Sequence, residues 1–164
     1  MGQVESCGYL NDEQIQKITS LSGTFLEPFA GIGYFAKKLR KSGKTVRASD
    51  IDPHHWDTET EVNTTVEQED ARDAVRRGNE QVLVFMFPPP NSDVPAEVLK
   101  LAMKRGGFTH LVVIQECLES DHCGDDEYVE LLEQFNLVDT GLYESHPSDG
   151  RFTSGLWIGT FPKE

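Results

Sequence analysis

Residues 24–53 read TFLEPFAGIGYFAKKLRKSGKTVRASDIDP, and the order of signals in that stretch decides the fold. GTFLEPF has the composition of a short buried strand. It runs into Gly31 and Gly33, which allow the chain to turn sharply and to approach a ligand closely, because a Cβ there would intrude. YFAKKLRKSG follows as a helix with Phe35 and Leu39 facing inward and Gly43 as its C-cap. TVRASDI is a second strand, and it carries Asp50 to its end about 20 residues after the glycines. Strand, glycine turn, helix and strand make the opening unit of a parallel α/β sheet.

The same alternation continues on both sides. Asn11 and Gln14 are spaced as a capping box, and Ile15, Ile18 and Leu21 recur at helical spacing behind them. TTVEQED alternates like a third, more exposed strand, and ARDAVRRG reads as a helix. QVLVFMF and HLVVIQE are unbroken apolar runs, the mark of central parallel strands covered on both faces. Between them VPAEVLKLAMKRGG is an amphipathic helix with Pro95 in its first turn. DDEYVELLEQF is the last helix, and LVDTGLYES and GLWIGTF are two final strands with no helix between them. The expected architecture is α/β: a doubly wound, mostly parallel seven-stranded sheet whose last strand inserts antiparallel. One domain is expected over residues 1–164, with an N-terminal helical segment over 1–22.

Composition bounds the function. A chain of 164 residues is long enough to bury a core without staples. With 37% hydrophobic and 26% charged residues it reads as globular. No apolar run approaches the about 20 residues of a membrane span, and no signal peptide opens the chain. Three cysteines, Cys7, Cys117 and Cys123, do not make a disulfide framework and suit a reducing, cytoplasmic or nuclear setting. A net charge of −13 implies weak binding to nucleic acid by the chain alone. Lys37, Lys38, Arg40, Lys41, Lys44 and Arg47 nevertheless crowd into one segment, a solvated face or a docking strip for an anionic substrate.

The order of strands and motifs resembles the class I S-adenosylmethionine-dependent methyltransferases over nearly the whole chain. EPFAGIG looks like the family's first motif, most similar to the amino-methyltransferase branch. The resemblance implies S-adenosylmethionine as cofactor, with Glu27 near the methionine amino group, Phe29, Gly31 and Gly33 forming the turn, and Asp50 taking the ribose hydroxyls. It further implies Ile51 on the adenine face, and Asp70 with Ala71 at the adenine amino group. GIGYFA also fits the dinucleotide pattern G-x-G-x-x-G/A, which keeps a nicotinamide cofactor as the rival. A turn that binds no ligand is the plainest alternative.

The reaction centre is expected after the fourth strand, at Phe87, Pro88, Pro89, Pro90 and Asn91. In the branch that the first motif resembles, this motif reads Asp/Asn/Ser, two prolines and an aromatic. The polar group and a loop carbonyl accept from the amino nitrogen and push it towards tetrahedral geometry. This chain keeps Pro88 and Pro89, but Phe87 cannot accept and Pro90 cannot stack as tyrosine does. Asn91, Asp93 or Glu116 could supply the missing acceptor, or the acceptor atom could already be nucleophilic. A catalytically degenerate scaffold is the alternative, and a partner subunit could supply substrate recognition.

Other clusters are weaker. Cys117, His122 and Cys123 gather soft ligands in one loop, but their spacing matches no zinc finger, and a substrate-facing loop is the preferred reading with no metal. His54 and His55 follow DIDP and could cover the cofactor. SHPSDG is read as a turn between the last strands rather than a triad. MGQVES fits an N-myristoylation pattern, with Cys7 placed for a second acylation; a chance match is preferred.

Overall fold

The computed structural model describes residues 9–53, 64–119, 122–145 and 153–163. The readings made on Cys7, MGQVES, His54, His55 and SHPSDG fall outside the described residues, apart from Ser145.

Seven strands form one sheet in the order β3-β2-β1-β4-β5-β7-β6. They are β1 (Phe25–Glu27), β2 (Val46–Asp50), β3 (Glu67–Gln68), β4 (Val82–Met86), β5 (His110–Gln115), β6 (Val138–Ser145) and β7 (Thr153–Thr160). β1 through β5 pair in parallel, whereas β7 lies antiparallel between β5 and β6. This is the mixed sheet of the Rossmann-like methyltransferase fold, as the pair of final strands implies. The helices are α1 (Asp12–Thr19), α2 (Tyr34–Lys41), α3 (Ala71–Arg76), α4 (Val94–Arg105) and α5 (Asp126–Leu132).

Period-two alternation along the central strands divides the core. Val82, Val84 and Met86 join Phe25, Phe35, Leu39, Val112 and Ile114 on the α1–α2 side. Leu83 and Phe85 join Leu26, Leu111, Val113, Tyr128 and Phe135 on the α3–α5 side. Each such side chain, buried fully, contributes roughly 1.5–3 kcal/mol of transfer free energy. That is why β4 and β5 read as continuous apolar runs.

The capping box of α1 is complete: Asn11 accepts from the Gln14 N–H at 2.8 Å, and Gln14 accepts in return from the Asn11 N–H at 3.0 Å. Gln14 is fully buried, and its Nε2 donates to the Ser154 carbonyl at 2.8 Å. The capping residue thus also ties α1 to β7. The third strand is shorter than TTVEQED suggests. Only Glu67 and Gln68 pair with β2, at Ser49 and Asp50, while the Thr64 hydroxyl and the Thr65 carbonyl accept from Arg40.

The basic segment divides by environment. Arg40 Nη2 donates to the Val46 carbonyl at 2.7 Å, and Lys38 lies over the rings of Tyr9 and Tyr34. Lys44 Nζ donates to the Leu21 carbonyl at 2.9 Å. Arg47 forms a fork with Glu80 at 2.7 and 3.1 Å beneath α3, where Arg105 also reaches Glu80 at 3.5 Å. Lys37 and Lys41 are exposed. A docking strip made of all six cations is therefore not what the fold presents: four of them hold the fold's own parts together.

Candidate functional site

β1 pairs with β2 on one side and with β4 on the other. This is the topological switch point, the place where open α/β sheets generally bind their ligands, in a crevice at the carboxyl ends of the strands. The glycine turn leaves β1 at that point. Gly31 has φ of 56° and Gly33 of 89°, backbone that glycine adopts without strain. The Ala30 N–H donates to the Ser49 carbonyl at 2.9 Å, so the turn is stitched to the end of β2. A Cβ on Gly33 would lie 2.8 Å from Thr64 Cγ2 and 2.9 Å from Val66 Cγ2. Close approach at Gly33 is therefore to the chain's own segment before β3.

Asp50, at the end of β2, accepts from the Gly31 N–H at 2.9 Å through Oδ2 and from the Asp52 N–H at 2.9 Å through Oδ1. Each carboxylate oxygen accepts two hydrogen bonds, so one further donor fits on each. Next to it Ile51 is 67% exposed, a large apolar side chain held in solvent at the lip of the crevice. On β1, Glu27 is buried, and its Oε2 has no hydrogen-bond partner among the described residues. Burial raises the Glu27 carboxyl to about 8; the Arg40 guanidinium opposes that rise and the Asp50 carboxylate adds to it. Arg40 is held elsewhere by Thr64, Thr65 and Val46, and Glu27 has no ion-pair partner among the described residues. Glu27 is thus a buried acid with an unpartnered oxygen beside a second carboxylate.

Asp70 caps α3, accepting from the Arg72 N–H at 2.9 Å, and the Arg72 guanidinium grips both its oxygens at 2.9 and 2.8 Å. That grip holds its carboxyl below the usual range. Oδ1 is filled, whereas Oδ2 retains room for one donor. Ala71 is buried in the first turn of α3. Phe29 packs edge-on against Phe85 with ring centroids 5.3 Å apart, beneath the turn.

The proline loop begins where β4 ends. The Phe87 N–H donates to the Ile114 carbonyl at 2.9 Å, and its ring packs against both halves of the core. Phe87 and Asn91 have φ of 47° and 51°. Left-handed backbone at an aromatic residue is strained, and here the strained residues bracket the three prolines. Gly124 clamps the loop from the segment after β5: its N–H donates to the Pro89 carbonyl at 2.9 Å, and its carbonyl accepts from the Asn91 N–H at 2.9 Å. Pro88 is buried, while Pro90 and Asn91 are exposed. The clamp is not visible in the sequence; its trace is Gly124, where a Cβ would meet the Tyr128 ring at 2.3 Å. Tyr128 in turn donates to Gln115 at 2.9 Å in a buried contact at the end of β5.

A concavity of about 590 Å³ lies beside this loop, lined by Asn91, Glu119, Gly124, Asp125, Asp126, Val129 and Glu130. A second, of about 460 Å³, lies near Gln81 and His110 at the opposite end of the strands from the glycine turn. Asp93 is exposed and makes no capping bond to α4. His122 Nδ1 lies 3.0 Å from Glu116 Oε2, Cys117 is exposed and Cys123 is buried. Among the described residues no three metal-ligating side chains converge, and no helix is long and apolar enough to cross a membrane.

The sheet order, with its antiparallel last strand, is that of the Rossmann-like methyltransferase fold. No family model and no curated protein matches the sequence. Solved structures do match. TehB from Haemophilus influenzae is 12% identical, with 94% of this chain and 63% of that chain covered and a TM-score of 0.57. This chain therefore spans less than two thirds of TehB. A SAM-dependent methyltransferase from Methanosarcina mazei is 11% identical over 87% of this chain and 94% of that one, with a TM-score of 0.58. Magnesium protoporphyrin IX methyltransferase (ChlM) from Synechocystis PCC 6803, solved with bound SAM, is 9% identical over 91% and 78%, with a TM-score of 0.55. At these identities the likeness is one of fold.

Proposed function

We propose that the chain binds S-adenosylmethionine in the crevice at the glycine turn and transfers its methyl group to an acceptor held against Pro88–Asn91. The observation that carries this reading is the pair formed by Glu27 and Asp50. One is a buried acid with an unpartnered oxygen; the other is a carboxylate fixed by two backbone N–H groups with capacity to spare. Together they suit a ligand with an ammonium group at one end and a ribose diol further along. Glu27 would receive the ammonium and Asp50 the two hydroxyls. Ile51 would cover one adenine face, and Asp70 Oδ2 would accept from the adenine amino group. The bound ligand supplies an electrophilic methyl on sulfur, and the chain's part is to hold it in line with a nucleophile.

The acceptor end supports a narrower activity. An amino nitrogen conjugated to a ring needs acceptors for its protons, yet the Phe87 side chain offers none and one of the two lone pairs of the Pro89 carbonyl receives the Gly124 N–H. Acidic walls beside the loop set a phosphate backbone at a disadvantage. The acceptor is therefore an amino nitrogen presented by a partner, or one of protein rather than free nucleic acid. Those same observations at Phe87 and Pro89 favour a second reading, a donor-binding scaffold or interaction subunit that has lost transfer. Isothermal titration calorimetry with S-adenosylmethionine, S-adenosylhomocysteine and NAD decides the first step. Binding of the two adenosyl ligands and not of NAD supports the cofactor assignment; tighter NAD binding sinks it. Radiolabelled methyl incorporation in the presence of cell-extract proteins then separates enzyme from scaffold.

A further inference from the structure

We infer that Glu27 is protonated in the free chain and that a ligand with a free ammonium group displaces that proton as it binds, so that this position selects for the amine and couples binding to pH. The inference rests on the donor-binding reading and adds to it a proton balance and a selectivity.

The geometry leaves little else for the side chain to do. Glu27 is 2% exposed, and Oε2 is sealed from water without a hydrogen-bond partner among the described residues. An ionised carboxylate in that position would bear a desolvation cost that only a cation in contact could offset. Among the described residues two charged groups act on it. Arg40, from α2, is committed to Thr64, Thr65 and Val46 and makes no hydrogen bond to it. Asp50, from β2, is a like charge and disfavours a second anion. The carboxylic acid is therefore the resting state, and its raised titration point agrees with that.

An arriving ammonium changes the balance. It brings a positive charge and N–H donors up to the Glu27 carboxyl group, the acid loses its proton to solvent, and an ion pair replaces a neutral group. No bond to carbon forms or breaks. The net event is one proton released for each amine-bearing ligand bound. A ligand with the same nucleoside and thioether but no amine, such as methylthioadenosine, leaves the acid protonated and releases none.

The test is calorimetry at pH 6.5 in buffers of different ionisation enthalpy. At that pH the ligand's own α-amino group is already charged, since such groups titrate near 7.7–8.0. With S-adenosylhomocysteine the apparent enthalpy should vary with buffer by about one proton per ligand bound, and affinity should fall by up to about tenfold between pH 7 and pH 6. With methylthioadenosine the enthalpy should not depend on buffer. Glu27→Gln should abolish the release and flatten the pH dependence for the amine-bearing ligand. The wild-type arms stand by themselves if that variant fails to fold. Tight binding of S-adenosylhomocysteine without proton release would overturn this inference and leave the donor-binding reading intact. Absence of binding by either ligand would overturn both.

Discussion

The two ends of the crevice treat their polar groups in opposite ways. At the glycine turn, Glu27 keeps an unpartnered oxygen, and Asp50 spends only part of its accepting capacity on Gly31 and Asp52. At the proline loop, the Asn91 N–H is spent on Gly124, the Pro89 carbonyl accepts from Gly124 with one lone pair, and Phe87 at the head of the loop packs an aromatic ring into the core. Buried polar groups normally find partners within the fold, so a polar group left without one is a cost that the fold bears for something outside it. By that criterion the turn carries an unmet polar group, whereas the loop ties its backbone to Gly124.

The largest effect that could break this contrast concerns Glu27 and stability. A carboxyl titrating near 8 in the native state and near 4.5 when unfolded binds more protons in the native state throughout that window. Native stability contributed by this group must then fall as pH rises through it, by up to about 1.4 kcal/mol per pH unit. Urea denaturation at pH 5, 6.5 and 8 should show Glu27→Gln gaining on the wild type by a few kcal/mol across the series, because glutamine does not titrate. Parallel pH profiles for the two proteins would mean that Glu27 has a partner after all, and the turn would lose its distinction from the loop.

The turn's half of this contrast is legible in the sequence, and the reason is local. Turn glycines, the Asn11–Gln14 capping box, the apolar runs of β4 and β5, and the helix-free final strands each announce themselves within a few residues. The placement of Glu27, Gly31 and Asp50 is legible too, since they lie at or just after strand ends that the order of elements defines. What the spacing does not carry depends on contacts between side chains and between distant segments. Arg72 sits two residues from Asp70, but nothing in that interval says that its guanidinium would grip both carboxylate oxygens. Gly124 looks like an ordinary loop residue until Tyr128 is seen packed where its Cβ would be. The third strand reads too long because Thr64 and Thr65 alternate correctly, yet pairing with β2 is confined to Glu67 and Gln68, and the Thr65 carbonyl accepts from Arg40 of α2.

A smaller effect sharpens the ligand side. Asp50→Ala removes acceptors for the ribose and also for the Gly31 and Asp52 N–H groups. Donor affinity should drop by one or two charge-assisted hydrogen bonds, about 1.5–3 kcal/mol each. The turn itself should lose about 1 kcal/mol, since the half-buried Gly31 N–H is left with poorer partners. Calorimetry and thermal melting read the two separately. Unchanged donor affinity alongside the lost stability would make Asp50 a turn fastener and nothing more.

The smallest expected change is the most informative about the loop. Phe87 holds φ of 47°, a conformation that asparagine accepts far more readily than an aromatic residue. Phe87→Asn should relieve backbone strain worth of order 1–3 kcal/mol while giving up a similar amount of packing against the two core clusters. Net stability should therefore move by no more than about 1 kcal/mol. The substitution also restores a polar side chain at the head of the proline motif. If that residue were the whole defect, the variant would methylate an exocyclic amine. The Pro89 carbonyl, however, remains bound to the Gly124 N–H, and the acidic walls around Asn91 remain in place. Radiolabelled transfer to free adenosine, cytidine or DNA should thus stay at background for the wild type and the variant alike, with donor binding retained in both. Transfer by the variant alone would show that one side chain separates this loop from activity, and the division between a receptive turn and a closed loop would no longer hold.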